Sequence, residues 1–113
     1  MIKVFDKYSD IIKYVKIEKF EQFGLNLRLR GRVGFIDGSN LHIRETIIEG
    51  ANRKYSYHWQ DKEENCIIRW DNAPDWDVDT FPHHKHVGIG DKIESSYERT
   101  LEQVLKSISG KLK

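Results

Sequence analysis

The stretch LNLRLRGRVGFIDGSNLHIRETII, residues 25–48, decides the fold. Leu25, Leu27, Leu29, Val33 and Phe35 occupy odd positions, and Asn26, Arg28, Arg30 and Arg32 fall between them. Side chains of an extended chain alternate between two faces, so this pattern predicts a long strand with one apolar and one basic face. Asp37-Gly38 marks a turn, and Leu41 to Ile48 reads as the returning strand. A two-residue loop would set Phe35 opposite Asn40 and mix the faces. A three-residue loop, Asp37-Gly38-Ser39, pairs Phe35 with Leu41 and Val33 with Ile43, and it is the expected register because a buried face fixes pairing. Arg30, Arg32, His42 and Arg44 then share the open face, with Arg32 opposite Arg44. Like charges so placed repel mildly, and either nearby carboxylates or an anionic partner would relieve them.

Downstream the same pattern repeats. Arg53 to Gln60 and Asn65 to Asp71 read as a second pair of strands around the polar turn Asp61-Lys62-Glu63-Glu64. A four-residue loop aligns Trp59 with Cys66, Tyr57 with Ile68 and Tyr55 with Trp70. It leaves Ser56, His58, Ile67, Arg69 and Asp71 on the opposite, open face. An acidic linker follows, Asp75-Trp76-Asp77-Val78-Asp79, expected as an exposed excursion. The segment after Pro82 is short enough for only an edge strand or an ordered loop. At the C-terminus, Ser95-Ser96-Tyr97-Glu98 fits a capping box. Leu101, Val104, Leu105 and Ile108 form one helical stripe, and Gly110 is placed to end it. Upstream, Lys16 to Phe23 reads as a first strand; Asp10 to Val15 either opens a short helix after a Ser9 or Asp10 cap or belongs to that strand, and the short helix or turn is the favoured reading.

These elements predict an α+β fold: a curved antiparallel β-sheet of four to six strands, packed on one face by the C-terminal helix, with a short N-terminal helix. At 113 residues the chain is expected to be a single domain, 1–113, with a real core. A net charge of +1 supplies no global basic field, so any anion-binding surface must come from local segregation of charge. The single cysteine, Cys66, excludes an intramolecular disulfide and a cysteine-built zinc site. Its parity places it in the core as an inert thiol. There is no signal-peptide pattern, and no apolar run approaches the roughly 20 residues of a membrane span, so a soluble cytoplasmic protein is the expectation.

The chemistry concentrates between Asn52 and Gly88, which holds all three tryptophans and the histidines His58, His83, His84 and His86. If the segment from His83 is extended, His84 and His86 point one way and His83 and Lys85 the other. Val87 and Ile89 share the parity of His83, so His84 and His86 belong on the open face with His58, Arg69 and Asp71. Three roles compete for that cluster. The first is metal-free acid–base cleavage of a phosphodiester: one imidazole takes a 2′-hydroxyl proton, another protonates the leaving oxygen, and an arginine stabilises the phosphorane. The second is a divalent metal site of His84, His86 and Asp71 or His58. The third is structural, the same groups satisfying one another and tying down the linker. Tyr55, Tyr57, Trp59 and Trp70 could stack on bases, but their parity matches the core, and only Trp76 reads as exposed. No glycine motif for phosphate binding is present.

The segments YSYHWQD (55–61), IIRWDNAP (67–74) and TFPHHKHVG (80–88), followed by a C-terminal helix, resemble the TumE-type family of small prokaryotic proteins. The resemblance runs from about Phe35 to the C-terminus, and the matching motif residues are Tyr57, His58, Arg69, Asp71, Asn72, His83, His84 and His86. It implies the toxin half of a toxin–antitoxin pair, encoded beside a small helix-turn-helix antitoxin. The chain departs from the family in its acidic linker, where members often carry a histidine pair. The combined expectation is a toxin acting on RNA, a candidate ribonuclease without a cofactor. His84 and His86 are the expected acid and base, Arg69 holds phosphate, Asp71 orients a histidine and His58 supports them. Arg30, Arg32, Arg44, His83, Tyr57 and Asn72 are expected to contact substrate. The alternatives are a non-catalytic module binding nucleic acid or antitoxin, and a metal-dependent hydrolase. Exposed edge strands also make a homodimer an expectation.

Overall fold

Alternation along Asn26–Phe35 carries through to three dimensions. In the computed structural model, which describes residues 3–112, Leu29, Val33 and Phe35 are buried, whereas Arg28 and Arg30 are exposed and Arg32 is half-buried. Chain order is a 3₁₀ segment (Lys3–Tyr8), then strands β1 (Ile12–Phe23), β2 (Asn26–Phe35), β3 (Asn40–Ile48), β4 (Asn52–Gln60), β5 (Cys66–Asp71), β6 (His84–Val87) and β7 (Lys92–Ser95), then helix α1 (Leu101–Leu112). Among the described residues the seven strands form one antiparallel open sheet in sequence order, so every connection joins neighbours. The fold is α+β, with more strands than the four to six expected.

The core lies between one face of this sheet and α1. Val33, Phe35, Leu41, Ile43, Tyr57, Trp59 and Trp70 face Val104, Leu105 and Ile108 there, with Phe5 and Ile11 joining from the N-terminal segment. Gly34 on β2 pairs with Tyr14 on β1, and a Cβ at position 34 would collide with the Tyr14 ring. Glycine at 34 leaves room for the Tyr14 ring to lie across β2.

Parity was legible in the sequence, but register was not. The β2–β3 loop is Ile36-Asp37-Gly38, closed by the Phe35 N–H to Ser39 carbonyl bond at 2.9 Å, so Val33 pairs with Leu41 and Arg30, not Arg32, faces Arg44. The Asp37 carboxylate accepts the Ser39 N–H, and the Ser39 hydroxyl accepts the Trp59 indole N–H at 3.1 Å. Those contacts hold Ser39 in the ladder and move the loop one residue back. In the β4–β5 hairpin Asp61 pairs with Asn65 and its carboxylate accepts the N–H groups of Glu63 and Asn65. Tyr57 therefore faces Trp70 and Trp59 faces Ile68. A bulge between Cys66 and Ile68 returns Ile67 to the core side and leaves Cys66 half-buried opposite Gln60, which corrects both placements.

Three further expectations are corrected. Residues from Ile12 belong to β1, and the helical turn lies earlier, at Lys3–Tyr8. The segment after Pro82 is an inner strand, because β7 pairs outside β6. Ser95 ends β7 and does not cap the helix: the Ser96 N–H goes to the Thr80 hydroxyl at 2.8 Å, and Glu98 binds Arg53. The capping box is Thr100 with Gln103, each side chain accepting the other's backbone N–H, and α1 runs through Gly110 to Leu112. Thr100→Ala is expected to lower stability by about 1 kcal/mol, read as a shift of the urea midpoint. An unchanged midpoint would show that the cap contributes nothing.

Candidate functional site

Because the strands pair in order, residues from distant parts of the chain line up in rows across the open face. One row runs Arg32, His42, His58, Arg69, His86 from β2 to β6. The row beside it runs Arg30, Arg44, Ser56, Asp71, His84 over the same strands. With neighbouring strands about 4.8 Å apart, each row is about 19 Å long. The arginines of β2 and β3 stand at one end and a histidine–aspartate–arginine cluster at the other.

At the β5–β6 end, Arg69 Nε lies 3.2 Å from Asp71 Oδ2, and Arg69 Nη2 donates to His86 Nε2 at 2.9 Å. A guanidinium only donates, so His86 Nε2 is a lone pair. His84 Nδ1 is 2.9 Å from the Pro82 carbonyl, which only accepts, so the Nδ1 proton of His84 is committed there. His84 Nε2 stands 3.1 Å from His86 Nε2 and 2.9 Å from Asp71 Oδ1. Three acceptor atoms thus converge, and a neutral His84 has no proton left to join them. The Arg69 guanidinium sets a positive charge beside these acceptors, whose lone pairs a shared proton or a metal ion can bridge.

Access to this cluster is restricted. His84 and His86 are each 1% exposed and Asp71 is 7% exposed. Trp76 of the acidic linker stands edge-on to His86, with ring centroids 6.0 Å apart. Asp91, in the β6–β7 turn, brings Oδ1 within 2.9 Å of His86 Nδ1. That is an ion-pair distance without hydrogen-bond alignment, so Nδ1 counts as unpartnered. Arg69 is the cluster member that reaches the surface, its side chain 36% exposed. Burial lowers the His86 pKa, with the Arg69 charge acting in the same direction.

His58 sits between the cluster and the arginines. Its Nε2 is buried and has no partner, as has Arg32 Nε. Partial burial lowers its pKa, and the Arg69 guanidinium acts in the same direction, which favours the neutral imidazole. Two depressions lie on this face, both lined by Arg44 and Ser56. One, about 430 Å³, is lined by Arg44, Lys54, Ser56, Arg69, Asp71 and Asn72 among others. The other, about 450 Å³, is lined by Arg30, His42, Arg44, Ser56, His58 and Gln60 among others.

The structure does not bring every expected residue here. Tyr57 is fully buried on the core side, its hydroxyl donating to Glu45 at 2.7 Å. His83 stacks on Tyr55 and contacts its hydroxyl through Nδ1 at 3.0 Å. Both are therefore removed from any surface shared with the arginines. Asn72 lines the first depression, yet its amide is spent as a clip, accepting the Tyr55 N–H and donating to the Arg53 carbonyl. Ser56, Lys54 and Asp91 were missed as site residues. Asp91 was findable, because Gly88-Ile89-Gly90-Asp91 is a turn signal between Val87 and Ile93.

The open face thus sets two histidines and an aspartate behind one surface arginine, at the end of basic rows. The family model described as Toxin TumE matches residues 1–112, and the chain belongs to that family. It is a toxin component of a toxin–antitoxin system, which implies an antitoxin partner. Neither the curated proteins nor the solved structures contain a match. Among the described residues, no helix is long and apolar enough to cross a membrane.

Proposed function

We propose that this toxin acts on RNA in the cytoplasm, cleaving the phosphodiester backbone by metal-free acid–base chemistry at the β5–β6 end of the open face. The observation that carries this reading is the shared row of His58, Arg69 and His86, which continues from Arg32 and His42. Arg30, Arg32 and Arg44 hold the phosphates of a single strand laid along the rows. His58, neutral and with a free Nε2, takes the 2′-hydroxyl proton as the 2′-oxygen attacks phosphorus. Arg69 turns to the non-bridging oxygens and stabilises the developing charge. That movement opens the His84–His86 pair to the substrate. In the form of the pair that carries one proton shared between the two Nε2 atoms, Asp71 orients it and that proton passes to the departing 5′-oxygen, while His58 keeps the proton taken from the 2′-hydroxyl. The products are a 2′,3′-cyclic phosphate and a 5′-hydroxyl.

The burial of His84 and His86 favours a second reading, a module that binds RNA or antitoxin through the same face without cutting. The antitoxin partner is proposed to be a helix-turn-helix protein, and the exposed β1 edge to offer a homodimer contact. Cleavage of end-labelled single-stranded RNA, with and without EDTA, separates the readings. Cleavage should survive EDTA and be lost in His86→Ala and His58→Ala. A base must be unprotonated, so kcat/KM should hold steady down to below pH 6.5, the ordinary histidine value, and decline only as His58 protonates. An acidic limb above pH 6.5 would exclude His58 as the base. RNA binding without cleavage would establish the module.

A further inference from the structure

We infer that Asp71, His84 and His86 form a binding site for one divalent transition-metal ion of the Zn²⁺ class, and that filling it switches off acid–base chemistry at the cluster. The inhibitory half rests on the proposed RNA-cleaving reading; the site itself does not.

The geometry carries the site. The ligand atoms all lie within 4.8 Å of one another, and all three residues are buried. Their separations are 3.1 Å between the two Nε2 atoms, 2.9 Å from His84 Nε2 to Asp71 Oδ1 and 3.4 Å from His86 Nε2 to Asp71 Oδ2. With zinc–ligand bonds of about 2.0–2.2 Å, neighbouring ligands of a tetrahedral ion lie about 3.3–3.6 Å apart. Each of these contacts is thus close to one edge of that tetrahedron, the Asp71 carboxylate turning a different oxygen to each imidazole. The tautomer of His84 is set for it as well. Histidine ligands hold their other ring N–H on a carbonyl or carboxylate, and the Pro82 carbonyl takes the Nδ1 proton of His84, turning Nε2 inward. On His86, Nε2 is already the lone pair, and Asp91 places a carboxylate beside Nδ1.

Two imidazoles and one carboxylate suit Zn²⁺ and its neighbours, whereas Mg²⁺ and Ca²⁺ require more oxygen ligands. Arg69, bonded to Asp71 and His86, supplies the positive charge beside the three acceptors. A metal ion would repel Arg69 from Asp71 and His86, and its side chain has the exposure needed to swing outward. Metal binding would engage both Nε2 lone pairs and leave no shared proton for the leaving oxygen, so occupancy and proton transfer exclude each other.

The test uses the full chain and Co²⁺ as a visible probe, followed by Zn²⁺ displacement in a calorimeter. One equivalent should bind, with the intense visible bands of tetrahedral Co²⁺. Affinity should fall at least 100-fold in His86→Ala and in Asp71→Asn, and stay unchanged in His42→Ala, which lies outside the triad. Asp71→Asn preserves side-chain shape, and a native circular dichroism spectrum would confirm that it folds. Absence of binding, or binding unaltered by these substitutions, would overturn the site. In the RNA assay, stoichiometric Zn²⁺ should reduce cleavage at least tenfold, with recovery in EDTA. Stimulation by Zn²⁺ would overturn the inhibitory half. An intact metal site in a protein that never cleaves RNA would refute the RNA reading and the inhibitory half, and leave the site standing.

Discussion

Arg69→Gln should reduce kcat/KM for RNA cleavage by about 10²–10³-fold, the loss typical when a preorganised transition-state donor is removed. Arg69 alone of the cluster both touches His86 and Asp71 and reaches the surface, so it is positioned to meet a phosphate entering from the arginine rows. Glutamine keeps an N–H donor near the same place but removes the positive charge. Arg69→Lys should fall between the two, because a point charge cannot bridge two acceptors as a planar fork does. Removing the charge also lifts one of the influences that lower the His58 pKa, so that histidine should titrate at higher pH in Arg69→Gln, measurable by NMR. Stability should fall as well, because Asp71 is buried, but the Ala73 N–H and His84 remain beside its carboxylate and limit the loss. Cleavage at the wild-type rate in a folded Arg69→Gln protein would remove the arginine from the mechanism.

The largest loss of stability is expected on the other face. Arg53 is 17% exposed and Glu45 is 18% exposed, paired at 2.8 Å on the core side of the sheet. Arg53 also contacts Glu98 at 3.0 Å, the Tyr57 hydroxyl at 2.8 Å and the Arg99 carbonyl at 2.7 Å, and lies over the Tyr55 ring at 4.4 Å. It therefore ties β4 to β3 and to the segment leading into α1. Arg53→Ala leaves Glu45 charged and unpaired beside the Tyr57 hydroxyl, and should cost about 3 kcal/mol. Arg53→Met with Glu45→Met should recover much of that loss, because removing both charges leaves none stranded. Urea unfolding measures both variants. A loss below about 1 kcal/mol for Arg53→Ala would mean the pair behaves as an ordinary surface ion pair.

Residues 25–48 show how far a sequence reaches. The strand period of two assigned Arg28, Arg30 and Arg32 to one face and Leu29, Val33 and Phe35 to the other, and those assignments survived a loop displaced by one residue, because that displacement changed the pairing by an even number. For the same reason, His84 and His86 fell on the face of Arg69 and Asp71, although a wrong β4–β5 register had been assumed. Strand β7 was missed because four residues with one apolar position, Ile93, carry too little periodic signal.

The sequence by itself therefore determined which side chains share a face wherever the strands are regular, and which chemistry concentrates there, since alternation is a property of the extended backbone alone; at Cys66 and Ile67 a bulge overrode it. Tertiary structure decided the rest. Whether Ser95 or Thr100 caps the helix turned on the Thr80 hydroxyl, sixteen residues from Ser96, claiming its N–H. Whether Tyr57 could meet a substrate turned on Glu45 and Arg53 holding its hydroxyl inside. Trp76 and Asp91 approach His86 from opposite sides of it in sequence, and the two histidines are buried beneath a surface that only Arg69 breaches. Each outcome depends on contacts between residues remote in sequence, and no local pattern encodes which of two competing partners a polar group will find.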